Sequence, residues 1–388
     1  MNVVEDIFLT MKSDNSGEEG DRQVRRIQLS GRGSYIVSIP KYWVEQMGMK
    51  KGGRLEFIEQ QGDGLLITPF AQTPLEDEQP RCRISIPPDA TPDAVSRQII
   101  SLYLVGYSAI EVNSKSENFS ARIRDCIRDV ARHKLVGTEL VNESSKSATL
   151  QVLLSFPQLL VPDALRRMSS IMNAMQQDAV QALATSDPEL AHQVLKIDDE
   201  MDRFSLYIIR QLKWGAQHPP LLEQIGLASP VECLGYRIII KSVERSADHA
   251  ARVAQNSLLI KHNLNSTILK GINTLSDNAW KMIEMALQAL FTRDYQLAES
   301  VLEDREKISE RESKLVERLL REEIPPGELS ALRLISESLR RIGEYATDIA
   351  EVVLNLTVQE SIEKPSKPLP SQGLQPGVRK QNRQSLPL

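Results

Sequence analysis

One stretch of the chain occurs twice. Leu183-Ala184-Thr185-Ser186-Asp187-Pro188-Glu189-Leu190-Ala191-His192-Gln193-Val194-Leu195 returns as Leu290-Phe291-Thr292-Arg293-Asp294-Tyr295-Gln296-Leu297-Ala298-Glu299-Ser300-Val301-Leu302. Helix-forming residues flank both copies in step. Self-similarity over this length marks a duplicated supersecondary unit, so the C-terminal half reads as two copies of one helical unit. In the first copy Leu165, Met168, Met172, Met175, Ala179 and Ala182 keep a helical period, and so do Leu190, Val194, Ile197, Met201, Phe204, Ile208 and Leu212. A third helix follows Ser229-Pro230, from Val231 to about Leu259. The second copy offers Ile272–Phe291, Tyr295–Arg321 and Glu328–Leu356, broken at Pro325-Pro326-Gly327. Each copy is expected to be a three-helix bundle, over 161–262 and 268–358.

The region before the bundles has a different texture. Between Val24 and Phe70, short alternating stretches (Ile27 and Leu29; Tyr35, Val37 and Ile39; Leu55 and Phe57; Leu65 to Ile67) are separated by glycine turns. That pattern predicts a small β domain over 24–71, with a short helix at Pro40–Gly48. So few residues make a thin core, and dimerisation or strand exchange is the expected remedy. A second small α/β unit is expected over 80–156, with strands at Cys82–Ile86, Ala109–Val112 and Ala148–Ser155 and helices at Pro92–Leu104 and Ala121–His133. The fold class is therefore multidomain α+β: a β domain, a small α/β middle unit, then two tandem three-helix bundles. Residues 1–23 read as a disordered arm and 362–388, rich in Pro, Gln and Ser, as a disordered tail.

A net charge of −5 excludes bulk-charge binding of a polyanion, so any nucleic-acid contact needs a local basic patch. Such a patch exists in the β domain, where Arg22, Arg25, Arg26, Arg32, Lys41, Lys50, Lys51 and Arg54 are opposed chiefly by Glu45. A two-fold dimer would double it and match a pseudo-palindromic duplex. A solvated basic surface on a dimerisation module accounts for the same charges. Cys82, Cys126 and Cys233 are far apart and read as reduced thiols. The start of the chain has no signal-peptide pattern, and no apolar run approaches the ~20 residues of a membrane span, so a cytoplasmic location is expected.

Two acidic pairs stand out in the first bundle. Asp198 and Asp202 lie four apart, as do Glu244 and Asp248, which puts each pair on one helix face. Like charges at that spacing repel. If the two helices align, up to four carboxylates converge, a donor set for magnesium, calcium, manganese or iron. A solvated acidic face partnered by Lys196, Arg203 and Arg245 is the alternative. The second copy is poorer: Ser309 replaces Asp202, Lys307 replaces Glu200, and Arg340 and Glu344 stand where Glu244 and Asp248 do. Glu344 and Asp348 restore a four-residue pair there, a weaker candidate. Glu189-Leu190-Ala191-His192 has the Glu-x-x-His form, but the di-iron signature needs two such tetrads and this chain has one. Glu189 reads as a first-turn acid and His192 as a surface residue. No nucleophile elbow, Walker loop or dinucleotide fingerprint occurs, so no enzyme is expected. No arginine cluster or glycine-rich cradle marks a phosphate pocket in the bundles.

Gly31-Arg32-Gly33-Ser34-Tyr35-Ile36-Val37-Ser38-Ile39-Pro40-Lys41 and Gly48-Met49-Lys50-Lys51-Gly52-Gly53 resemble the AbrB/SpoVT swapped-hairpin DNA-binding domain. The duplicated bundles resemble PhoU domains, with Asp198–Asp202 and Glu244-Arg245-Ser246-Ala247-Asp248 similar to that family's acidic metal-binding motif, and Arg341-Ile342-Gly343-Glu344 to its second-copy counterpart. The combination resembles archaeal phosphate-uptake regulators that join both modules. The resemblance implies a homodimer through 24–71 that binds DNA through Arg25, Arg26, Arg32 and Lys41. It also implies negative regulation of phosphate transport, contact with the phosphate ABC transporter ATPase or a signalling partner, and a bound metal of the iron, zinc, manganese or magnesium class. Where bacterial AbrB-type domains carry a basic pair near the end of the short helix, this chain has Val44 and Glu45.

Overall fold

The computed structural model describes residues 24–30, 33–60, 64–70, 80–153, 159–218 and 221–361. The expected N-terminal arm and C-terminal tail lie outside them, as do residues 71–79. The chain divides into two units, Met1–Glu78 and Gln79–Leu388. Among the described residues no helix is long and apolar enough to cross a membrane.

The first unit holds two antiparallel hairpins. Strand β1 (Gln28–Ser30) pairs with β2 (Ser34–Ile36), with Leu29 opposite Tyr35. Strand β3 (Leu55–Gln60) pairs with β4 (Gly64–Pro69), with Phe57 opposite Ile67. Between the hairpins lies helix α1 (Lys41–Gln46). Pro40 stands at its N-cap, where a missing N–H costs nothing, and Gly48 follows its end at φ +63°. Strand β2 stops at Ile36, before the alternation through Val37 and Ile39 is complete. Not one described residue between 24 and 70 whose side chain is placed is buried.

The second unit opens with a four-stranded sheet, order β5-β6-β8-β7. Strand β5 (Arg81–Ile86) runs parallel to β6 (Ala109–Ser114) and is joined to it by α2 (Pro92–Val105). Strand β8 (Ser147–Val152) is antiparallel to β6 and to β7 (Thr138–Glu143). Thr91 and Ser120 cap α2 and α3 (Ala121–Asp129) by accepting main-chain N–H groups three residues on. Alternation sends Ile110, Val112, Ala148, Leu150 and Val152 to one face, where they pack with Ile99, Tyr103, Ile123 and Ile127. The helix expected over Ala121–His133 becomes a π-turn at Val130–Lys134, which closes on the buried Leu135 through its N–H to the Val130 carbonyl at 3.1 Å. Strand β7 escapes sequence analysis because a register shift between Leu140 and Asn142 spoils its alternation.

The bundles follow. Helices α4 (Val161–Thr185), α5 (Pro188–Gln217) and α6 (Pro230–Ser257) form the first. The second consists of α7 (Ser266–Thr292), α8 (Tyr295–Glu303), α9 (Arg305–Leu319) and α10 (Pro326–Ser361). The duplicated segment is the same turn in both copies. Ser186 and Arg293 adopt φ +53° and +54°, and Asp187 and Asp294 then cap the next helix with their carboxylates. The helix expected over Tyr295–Arg321 breaks at Asp304, which ends α8, salt-bridges Lys307 at 2.6 Å and has Ile197 as its uninterrupted counterpart. The bundles share one apolar core. Across it Gln176 on α4 donates to the Ser276 carbonyl on α7 at 2.8 Å.

Cys82 and Cys126 are half-buried and Cys233 is buried, each a free thiol.

Candidate metal centre

Helices α5 and α6 carry the acidic pairs, and packing brings them together. Asp202 on α5 and Glu244 and Asp248 on α6 each offer a carboxylate oxygen, and these atoms lie within 4.8 Å of one another. Four-residue spacing on α6 places Glu244 and Asp248 one turn apart on the face turned to α5. Burial grades across the group: Glu244 is buried, Asp248 half-buried and Asp202 exposed. Asp198, one turn back from Asp202, is half-buried with Oδ1 sealed from water and without a hydrogen-bond donor.

The electrostatics are those of crowded acids. Burial first, then the charges of Asp248 and Asp202, push the Asp198 carboxyl up to about 6. Burial pushes Glu244 up to about 7 against the pull of Lys241, which salt-bridges its Oε1. Glu244 Oε2 is buried and unpartnered. Asp248 is raised by burial and by Asp202. An orphaned buried carboxylate oxygen is costly unless something meets it. Oxygens of several carboxylates at one opening are a donor set for a hard or borderline divalent cation, with outward positions left for water or another ligand.

Beside the group, the His249 ring is buried against Tyr345, centroids 5.8 Å apart, and its Nδ1 lacks a partner. Burial and the charges of Arg252, Arg341 and Arg340 hold it down near 4, so it is neutral at pH 7. Lys241 and His249 were not singled out in the sequence. Their signal was faint: a lysine three residues before Glu244, and a histidine next to Asp248.

The weaker pair is placed differently. Glu344 forms ion pairs with Arg340 and Arg341, the latter at 2.5 Å. Asp348 is exposed one turn on, and neither joins a group of three metal-type ligands among the described residues. Glu189 lies in the first turn of α5, and His192 is exposed with Nδ1 2.6 Å from the Pro188 carbonyl. Of the basic candidates, Arg25 and Arg26 are exposed, Lys41 pairs with Glu45 at 3.4 Å, and Arg32 lies outside the described residues.

The PhoU domain model matches residues 165–257 and again 272–353. Both bundles are PhoU domains. The acidic group thus belongs to the first PhoU domain and the Glu344–arginine cluster to the second. A second model, antidote-toxin recognition MazE, bacterial antitoxin, matches residues 28–74. The chain is 26% identical over 198 residues to phosphate-specific transport system accessory protein PhoU homolog 1 of Thermotoga maritima, covering 48% of this chain and 81% of that protein. It is 28% identical over 196 residues to the phosphate-specific transport system accessory protein PhoU homolog of Pseudomonas aeruginosa, covering 49% of this chain and 78% of that protein. The crystal structure of PhoU from Pseudomonas aeruginosa aligns with a TM-score of 0.44 at 23% identity, over 51% of this chain and 96% of that one.

Proposed function

We propose that the protein is a cytoplasmic, dimeric, DNA-binding regulator that restrains phosphate uptake, with a metal-binding first PhoU domain. One observation carries the reading: a MazE/AbrB-type module that buries none of its placed side chains is joined in one chain to two PhoU domains. Such a module must complete its core with a second copy. Its cations, Arg25, Arg26, Arg32 and Lys41, would then be doubled across a two-fold axis and set against the phosphates of a duplex. The relatives' names supply the pathway, since both are accessory proteins of phosphate-specific transport. Regulation rather than catalysis fits those names. Asp202, Glu244 and Asp248, with Asp198 behind them, would hold the cation.

A second reading has the N-terminal module only dimerise while the PhoU domains dock on the transporter ATPase or a signalling partner. The Lys41–Glu45 pair and the net charge of −5 favour it.

Capture of genomic DNA fragments by the full chain decides between them. A regulator enriches discrete fragments, loses affinity steeply with salt, and loses capture when Arg25, Arg26, Arg32 and Lys41 become Gln. Unselective capture, or capture unchanged in that variant, moves the reading to the adaptor.

A further inference from the structure

The two PhoU domains are copies, so the metal position of the first has a counterpart in the second. The duplicated segment fixes the register of α5 against α8 and α9, and matching Glu244-Arg245-Ser246-Ala247-Asp248 to Arg340-Arg341-Ile342-Gly343-Glu344 aligns α6 with α10. Asp198 and Asp202 correspond to Arg305 and Ser309, and Glu244 and Asp248 to Arg340 and Glu344. Four carboxylates give way to two arginines, a serine and a single carboxylate, so the formal charge changes sign. The counterpart is not a filled surface. Between α9 and α10 an open cavity of about 470 Å³ is lined by Ser309, Glu312, Ser313, Arg333, Glu337 and Arg340. Ser309 and Arg340, the counterparts of Asp202 and Glu244, both line it.

We infer that this cavity binds inorganic phosphate, an inference that rests on the phosphate-regulator reading and would give it its sensor. The lining is matched to a protonated tetrahedral oxyanion. Arg333 is exposed and has no ion-pair partner among the described residues. Arg340 spends one nitrogen on Glu344 and keeps further N–H groups for a ligand. The Ser313 hydroxyl can donate as well, whereas the Ser309 hydroxyl already donates to the Arg305 carbonyl at 3.3 Å. Two guanidinium groups and the Ser313 hydroxyl thus face the unprotonated oxygens of phosphate, and charge-assisted bonds to the guanidinium groups are the strong ones. Glu312 and Glu337 would repel a fully ionised anion. Near neutral pH, however, inorganic phosphate keeps at least one P–O–H, and a carboxylate accepts that proton in a hydrogen bond. Sulfate has no such proton and meets the same carboxylates only as like charges. The lining therefore selects phosphate over sulfate, by the logic that an unmatched donor or acceptor is penalised more than a matched one is rewarded.

The test is titration calorimetry of the full chain with inorganic phosphate, sulfate and a phosphate monoester, alongside DNA capture by the same preparation. Phosphate is expected to bind at least about tenfold more tightly than sulfate. Arg333→Gln should weaken phosphate by about tenfold or more, and Glu337→Gln should narrow the gap between phosphate and sulfate. Both residues are exposed, so folding should be intact, which a thermal melt of each variant checks. Absence of phosphate binding, phosphate binding indifferent to both substitutions, or tighter binding of the monoester overturns the assignment. DNA capture that persists without phosphate binding rejects this inference alone; phosphate binding without DNA capture rejects the DNA-regulator reading alone.

Discussion

Arg210 on α5 donates from Nη2 to the main-chain oxygen of Gly106 at 3.0 Å, so a buried cation in a PhoU domain closes the end of a helix in the α/β region. The same guanidinium donates to the carbonyls of Tyr103 and Tyr107 and stacks over the Tyr103 ring, 4.7 Å from its centroid. The Tyr103 and Gly106 carbonyls lie at the C-terminal end of α2, where the helix dipole is negative, and the Tyr103 carbonyl also accepts the Gly106 N–H at 3.1 Å. Gly106 makes the turn at φ +117°, with Trp214 packed against it.

Arg210→Met is therefore expected to destabilise the second unit by about 1.5–3 kcal/mol, the cost of leaving buried acceptors unmet. Arg210→Lys should recover only part, because a single ammonium lacks the planar fork that reaches three oxygens. Denaturant unfolding gives the loss, and hydrogen exchange should show it first between Tyr103 and Ser108. Wild-type stability with unchanged exchange there would reject the clamp.

Metal binding should be pH-dependent with a definite sign. Asp198 and Glu244 titrate in the folded chain near 6 and 7, above their ordinary carboxylate values. A folded state that holds protons longer than the unfolded one loses stability as pH rises, here from the ordinary carboxylate range up through about 7. A divalent cation must displace those protons, so its affinity should rise over the same window. Manganese should thus raise the melting temperature far more at about pH 8 than at about pH 5, and Asp198→Asn with Asp202→Asn should lower the metal content of the purified protein. An equal shift at both pH values, or unchanged elemental analysis in the variant, would count against the site.

How much of this was legible beforehand differs by kind of signal. The duplication and the helical periods announced the bundles, because each is a local pattern. The acidic pairs were visible too, since i,i+4 spacing fixes a shared face, but convergence of Asp202 with Glu244 and Asp248 depends on how α5 packs on α6. Arg210 gave no sign at all: its acceptors are main-chain oxygens more than a hundred residues away, and a carbonyl has no letter in a sequence. The cavity beside Arg340 was missed for a related reason. Arg333 and Arg340 are dispersed along one helix, and Ser309 and Ser313 on another complete the lining only in space.

The two copies also differ in the residues at the contact between their second and third helices, and the consequence can be measured. A Cβ on Gly343 of α10 would collide with the Ile308 side chain of α9 and meet Met282 Sδ at 3.4 Å. The first copy has Ala247 and Met201 at these positions. Methionine can bend away from an added methyl, whereas the fully buried Ile308 can withdraw its Cδ1 only by turning χ2 into packed neighbours. Gly343→Ala gains up to about 1 kcal/mol of helix propensity but incurs overpacking of about 1–3 kcal/mol, so the net should be a loss. Adding Ile308→Met should restore most of it. A double-mutant cycle checks the coupling, and purely additive effects would refute it.

The N-terminal module yields the last expectation. Ile27, Leu29, Tyr35 and Phe57 are 67%, 66%, 68% and 57% exposed, which leaves this unit with an uncovered apolar surface rather than a core. Soluble chains rarely leave so many large apolar side chains of one small module uncovered, and a β module of this length lacks the burial to fold alone. A second copy is the occupant favoured by the proposed function, because hairpins exchanged across a two-fold axis would seal both apolar faces at once. Sedimentation of the full chain should then show a dimer, with a melting transition for residues 24–70 that rises with protein concentration. Ile27→Asp with Phe57→Asp places a charge on each hairpin at the expected seam, and should yield a monomer whose second unit still melts as in the wild type. DNA capture should vanish with the dimer, since half of a two-fold site forfeits both contacts and register. A variant that remains dimeric would place the seam elsewhere, most directly on the PhoU domains. A monomer that still selects the same fragments would separate DNA recognition from dimerisation.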